Sequence, residues 1–513
     1  MSEAQFWGVV LRLAQSSLQA APFVLTGLII TGILHRLMGH RETKWMFGSN
    51  TVKSLFQSWV IGMLLPGCSL GVIPIVKQLR RSGIAIGTIF AFALSSPLFD
   101  PMSLLYGLTL SKPITILAFA TFSLVVVTIA GGLFDKWYPD TEVESPEPPP
   151  TPYGYKRILA VLVVMMRETV SSSAGLIAIG LLGVALLSLA LPAGSLQATM
   201  SHDNPYSPIL MTAIAIPAYA TPMTAMGQLG SMFQHGNSIG AAFILLTLGA
   251  GMNCGLLAWM LMNYGWKKSL AWMALMLGVV IVISYGIERP LYPKDIEPAN
   301  HTHAFDIYCM PFHPESPPAG GYPAAVLQKL KMETQVHEKY GAIAIGVLVI
   351  CGLGLKVLDR HWVIETWLNK QPEKLLDVVL PGWVLAASGF LVIIAASITG
   401  CFVYYPEPNE TLSEMGQVAT VEAFSAAMAG EKEHALHWIP ICEGWTRRLQ
   451  VGTYMRHWHL SDYHRMKARV FRDKLELLEH MIEDNDPPEE IRRQTLDARM
   501  AFSRMSEAFR EEL

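Results

Sequence analysis

The run Pro66-Gly67-Cys68-Ser69-Leu70-Gly71-Val72-Ile73-Pro74 places helix breakers and small polar residues inside an apolar segment long enough to enter a membrane. In hydrocarbon every unpaired N–H or C=O costs several kcal/mol, so a break at that depth survives only where protein buries it or water reaches it. A second such segment, 208–233, contains Ile216-Pro217-Ala218-Tyr219-Ala220-Thr221-Pro222. These interruptions restrict the chain to an all-α polytopic membrane protein with an internal polar site. Only 15% of the 513 residues are charged and 51% are hydrophobic, against about 25% charged in soluble domains. A net charge of −3 with no Lys/Arg tract excludes nucleic acid as a partner and leaves the lipid bilayer and a small solute.

Taking about 20 apolar residues as the length of a spanning helix, spans are predicted at 18–38, 84–110, 113–132, 170–191, 238–262, 267–287, 339–358 and 378–403. The segments 54–76 and 208–233 are predicted to be broken or re-entrant. Met1–Gln19 lacks the features of a cleaved leader and reads as a retained amphipathic lead-in. Arg36, Arg41, Lys44 and Lys53 precede the first broken segment and Lys77, Arg80 and Arg81 follow it, so both its ends are expected in the cytoplasm. Lys156, Arg157 and Arg167 place the middle linker there too, whereas 195–237 holds no Lys or Arg and is expected outside. The two halves are therefore of inverted topology. A shift of 153 positions pairs Ala21 with Ala174, Gly27 with Gly180, Gly83 with Gly236, Ile86 with Ile239, Gly87 with Gly240, Phe90 with Phe243, Asp100 with Asn253 and Leu124 with Leu277, as an internal duplication would.

The organisation read from these signals is a first repeat at 1–134, a Pro- and acid-rich linker at 135–166 and a second repeat at 167–287. A polar loop at 288–338, two additional transmembrane helices at 339–403 and a helical soluble tail at 404–513 follow. Counting spans puts the tail outside.

The residues 65–74, 79–83 and Phe90-Ala91-Phe92-Ala93-Leu94-Ser95-Ser96-Pro97-Leu98-Phe99-Asp100-Pro101 resemble the ArsP/YraQ-type predicted permeases, over roughly residues 18–287. That family includes bacterial exporters of trivalent organoarsenicals, so the resemblance implies a permease of the bacterial inner membrane rather than an enzyme, with efflux of a metal, metalloid or organo-metalloid as its expected activity. Two positions depart from the family pattern: Leu70 stands where a second cysteine is common, and Asp100 where asparagine is common.

Substrate contact is expected from Cys68 and Ser69, a thiol and a hydroxyl in an unwound turn, and from Ser95, Ser96, Tyr219, Thr221 and Asn253 at the other polar interruptions. Pro66, Gly71, Pro74, Pro97, Pro217 and Pro222 are the expected structural breaks. Asp100 is a carboxylate within an apolar segment, a position that by default serves a proton or cation step. His301, His303, Asp306, Cys309 and His313 supply zinc- or copper-type ligands in the loop, at a spacing that matches no standard motif. The tail histidines His434, His437, His457, His459 and His464, with Trp438, Trp445 and Trp458, read as one face of a small helical bundle, and the tail as a surface for a protein partner or for self-association. A metalloenzyme using the loop and a sensor or scaffold acting through the tail are the rival functions. No nucleotide-binding loop is present in the sequence, which leaves an ion gradient as the energy source.

Overall fold

The computed structural model describes residues 2–48, 52–110, 113–139, 146, 152–192, 195–196, 198–293, 303–312, 318, 320–359, 363–370 and 380–511. Residues 140–145 and 147–151 of the predicted linker lie outside these. Among the described residues the protein is entirely helical apart from one isolated bridge, Ser201 to Asn237.

The first repeat consists of α1 (Glu3–Phe47, with a π-turn at Leu34–Met38), α2 (Val52–Leu64), α3 (Val72–Arg81), α4 (Ile86–Ser95), α5 (Pro101–Leu110) and α6 (Pro113–Trp137). After α7 (Lys156–Glu168), the second runs α8 (Ser172–Ala190), α9 (Ser207–Ala215), α10 (Pro222–Gln234), α11 (Ile239–Ala250, π-helical from Leu245), α12 (Cys254–Tyr264) and α13 (Trp266–Leu291). Each half is thus a long helix, a helical hairpin, a broken helix and a second long helix. Gly83 and Gly236, paired by the 153-residue shift, both hold positive φ, 68° and 66°, at the same turn before α4 and before α11. Only glycine adopts that backbone without strain.

Among the described residues, six helices are long and apolar enough to span a membrane, α1, α6, α8, α13, Val336–Leu358 and Gly382–Tyr404. Of the predicted spans, 84–110 carries the break expected at Pro97, while the structure corrects 238–262, which is expected from its sequence to run through. The first is divided between α4 and α5, and the second bends by 61° between α11 and α12. Apolar composition continues across both breaks, and so conceals where the backbone yields.

Beyond the repeats lie α14 (Tyr322–Glu333), α15 (Val336–Leu358), α16 (Val363–Leu368) and α17 (Gly382–Tyr404). The tail comprises α18 (Pro408–Glu414), α19 (Thr420–Ala429), α20 (Lys432–His457), α21 (Asp462–Glu483) and α22 (Pro488–Glu511). Two compact units form: residues 1–103 with 117–395, and residues 104–116 with 396–513. The second has its own core, in which Met415, Ile439, Cys442, Leu449, Phe471, Leu475 and Phe509 are fully buried. Gly430 ends α19 in the left-handed conformation. Trp438 and Trp445 pack on this core. Trp458 departs from the predicted face: it is a left-handed C-cap and 80% exposed.

Candidate functional site

Helix α2 stops before Pro66, which has no N–H to donate and disfavours helical geometry at the preceding residue. The chain then turns through Gly67–Leu70 and re-enters a helix at Val72. Val72 N–H donates to the Cys68 carbonyl (3.0 Å), Ile73 N–H to the Leu70 carbonyl (3.2 Å) and Gly71 N–H to the Cys68 thiol (3.3 Å). Cys68 therefore ties the turn to the start of α3, while the buried Ser69 hydroxyl meets no protein partner. Pro74 is not itself a break. It occupies the first turn of α3, where a missing N–H leaves no bond unmade.

The hairpin of the second repeat is built alike. Helix α9 ends before Pro217, and α10 begins with Pro222, again an N-terminal first-turn proline rather than an interruption. Thr221 caps it, its hydroxyl accepting from Thr224 N–H at 3.2 Å.

The two broken helices give the clearest correspondence between the halves. Asp100 caps α5, its Oδ1 accepting from Ser103 N–H at 2.6 Å, and Asn253 caps α12, its Oδ1 accepting from Leu256 N–H at 2.8 Å. A side-chain oxygen at that position satisfies a donor that the helix cannot. In each case the other half of the group is buried without a protein partner: Oδ2 of Asp100 and Nδ2 of Asn253. Ser95 bonds back to the Phe92 carbonyl (3.2 Å), whereas the hydroxyls of Ser96 and Thr247 are also unpartnered and buried. Pro97 lies in the turn joining α4 to α5. Polar atoms buried in this state are costly unless a ligand or water meets them.

These interruptions are neighbours. The Tyr219 hydroxyl lies against the Cys68 thiol, bringing the two hairpin turns together. A Cβ placed on Gly67 would reach 2.3 Å from the Ser96 hydroxyl, and one on Gly180 would reach 2.4 Å from Leu70 Cδ2 and 3.0 Å from Asn253 Oδ1. The first turn therefore sits between the α4–α5 break, the second turn and the cap of α12. No Lys, Arg or His is among these residues.

Polar contacts that the sequence reading missed flank this centre. Lys77, midway along α3, donates to Glu168 (2.8 Å) and Ser171 (3.0 Å), and Arg80 near its end donates to the Asn263 carbonyl (3.0 Å), tying the first hairpin to the second repeat. Asp135 accepts from Gly87 N–H at 2.7 Å, and Glu288 from Gly240 N–H at 2.6 Å. The 153-residue shift pairs Asp135 with Glu288, a signal that the sequence contains.

In the loop, His301 and His313 lie outside the described residues, as does the side chain of His303. A 3₁₀ turn spans His303–Tyr308. Arg12 of α1 donates to the carbonyls of Asp306 and Cys309, and Gln228 of α10 bonds both the Ala304 carbonyl (2.9 Å) and the Tyr308 hydroxyl (3.1 Å). Burial raises the Tyr308 hydroxyl above its ordinary pKa. Among the described residues no three His, Cys, Asp or Glu side chains are placed to hold a metal ion.

The family model described as ArsP_1, predicted permease, matches residues 7–289, which contain nearly all of both repeats and all four interruptions. The chain belongs to this predicted permease family. It is 23% identical over 273 residues to the UPF0718 protein YcgR of Bacillus subtilis, covering 52% of this chain and 92% of that protein. A second relative, a putative two-component membrane permease complex subunit of Streptococcus mutans, is 23% identical over 87 residues, covering 17% of this chain and 29% of that protein. No solved structure matches. The chain is a multi-pass membrane permease by family and by its spanning helices.

Proposed function

We propose that the protein is a secondary-active permease of the bacterial inner membrane, moving a small solute by alternating access between the two inverted repeats. The observation that carries this reading is the meeting of four backbone interruptions, which gathers the unpartnered Ser69, Ser96, Asp100 Oδ2, Thr247 and Asn253 Nδ2 inside an otherwise apolar bundle. Broken helices at the interface of inverted repeats are where transporters bind substrate and coupling ion. Cys68, Ser69, Ser95, Ser96, Tyr219, Thr221 and Asn253 are the proposed substrate contacts, and Asp100 the proton carrier. A metal, metalloid or organo-metalloid remains the substrate class implied by the family resemblance. With Leu70 beside it and Cys68 the thiol of this turn, a ligand set of several thiolates is not assembled there. The name of the Streptococcus relative supports a protein partner for this chain as well, with the tail as the surface for it.

A deletion strain screened against metals, metalloids and organic acids identifies the solute. Flux of that solute into proteoliposomes then tests the mechanism. Asp100→Asn keeps the cap, and is expected to retain solute binding while flux no longer responds to an imposed pH gradient. Identical responses of wild type and variant to the gradient would remove Asp100 as the carrier.

A further inference from the structure

We infer that Asp135 and Glu288 are a pseudo-symmetric pair of latches, positioning residues that hold the outer ends of the two broken helices and so determine on which face the central site opens. The inference rests on the permease reading, but its geometry stands by itself. Asp135, near the end of α6, accepts from Gly87 in the first turn of α4 (2.7 Å). Glu288, near the end of α13, accepts from Gly240 in the first turn of α11 (2.6 Å) and from the Ser238 hydroxyl (2.8 Å).

The backbone fits each latch closely. A Cβ on Gly87 would sit 2.4 Å from Asp135 Oδ2 and from the Gly131 carbonyl, and one on Gly240 would sit 2.6 Å from the Ser284 carbonyl and 2.9 Å from Glu288 Oε2. Three pairs, Gly87 with Gly240, Gly131 with Ser284 and Asp135 with Glu288, obey the same 153-residue shift. That coincidence of position and contact in both halves is not required for helix packing alone.

A carboxylate at a helix N-terminus both meets an otherwise unsatisfied N–H and complements the helix dipole. Each latched helix runs from that end to the break, Ser96–Asp100 in one repeat and Gly251–Asn253 in the other. Freeing the latched end lets the helix tilt about the break. The charge pattern puts the Asp135 latch, beside Arg80, Arg81 and Lys136, at the cytoplasmic face. The Glu288 latch adjoins the 195–237 region, which has no Lys or Arg, at the outer face.

Cys68, fully buried at the centre, is the reporter. Full-length protein in right-side-out and in inside-out vesicles is treated with a membrane-impermeant methanethiosulfonate, and modification of Cys68 is quantified by peptide mass spectrometry. Asp135→Asn is expected to speed modification at least about fivefold from the cytoplasmic face only, and Glu288→Gln from the outer face only. Asp135→Glu and Glu288→Asp, which keep the carboxylate, restore slow modification. Unchanged rates in both amide variants overturn the latches, and so does equal acceleration from both faces, the signature of a loosened fold. Side-specific acceleration supports them even if no solute is ever found to move, an outcome that would sink the permease reading alone.

Discussion

The contact between α1 and the first turn gives a prediction that needs no substrate. Gly27 faces Gly71 so closely that a Cβ at position 27 would lie 2.0 Å from the Gly71 carbonyl oxygen. To reach a tolerable contact the turn must move by at least about 1 Å, and the obstacle is backbone, which cannot rotate aside. Overpacking of this kind costs about 1–3 kcal/mol, here toward the upper end. Replacing glycine by alanine in a helix returns roughly 1 kcal/mol, leaving Gly27→Ala destabilised by about 2 kcal/mol. Its counterpart, Gly180, meets the Leu70 Cδ2 methyl at 2.4 Å, and a leucine end can change rotamer for about 1 kcal/mol. Asn253 Oδ1, 3.0 Å away and held by the Leu256 N–H, must also give by a few tenths of an ångström, so Gly180→Ala is expected to lose about 1 kcal/mol, less than Gly27→Ala. Both variants are made in the full chain, and thermal loss of monodisperse protein in detergent is followed by size exclusion. Equal stability of the two variants, or greater loss at Gly180, would refute the packing argument.

The remaining expectations concern charge, capping and the tail. A double-mutant cycle of Lys77→Met and Glu168→Gln, read by thermal stability, should show coupling of about 1–2 kcal/mol, since the pair is close and mostly buried; additive losses would mean that the contact holds nothing. Asp100→Ala should lose about 1 kcal/mol more stability than Asp100→Asn, because only the alanine variant gives up the bond from Ser103 N–H. In the tail, burial pushes the Cys442 thiol up to about 12, so the reactive thiolate is scarce at neutral and mildly alkaline pH. Maleimide should therefore leave Cys442 untouched in folded protein at pH 8 and modify it only when the tail is unfolded. Rapid modification of the native tail would contradict the buried core.

The two hairpin turns were legible because proline and glycine interrupt an apolar run, at Pro66–Gly71 and at Pro217–Thr221, and each chemical signal has a local cause. The breaks at Ser96–Asp100 and Gly251–Asn253 were harder to read. Pro97 marks the first, but apolar residues resume at once with Leu98-Phe99, and Gly251-Met252-Asn253 contains no proline. A periodic apolar run reports burial, not where a helix gives way. Asp135 and Glu288 escaped for another reason: each acts on a backbone N–H 48 residues away, and no local pattern encodes such a bond. Pro74 and Pro222 look like interruptions in the sequence because proline marks the first turn of a helix as well as its end.

The pseudo-symmetry also separates what the fold requires from what it does not. Asp100 and Asn253 occupy equivalent positions, each in the cap of a helix that follows a break, and each spends one oxygen on the N–H three residues ahead. Asn253 demonstrates that an amide performs this role, since asparagine and aspartate are comparable caps. The carboxylate at position 100 is therefore not needed to begin α5, and an acid buried in a membrane segment is harder to keep than an amide. Its second oxygen, unpartnered and buried, faces the same demand as the unpartnered amide nitrogen of Asn253, but only the acid can also take up and release a proton. A protein that retains the acid in one repeat and the amide in the other has two structurally matched breaks of which one can titrate. Under the proposed mechanism, that asymmetry would confine a coupled proton to the first repeat.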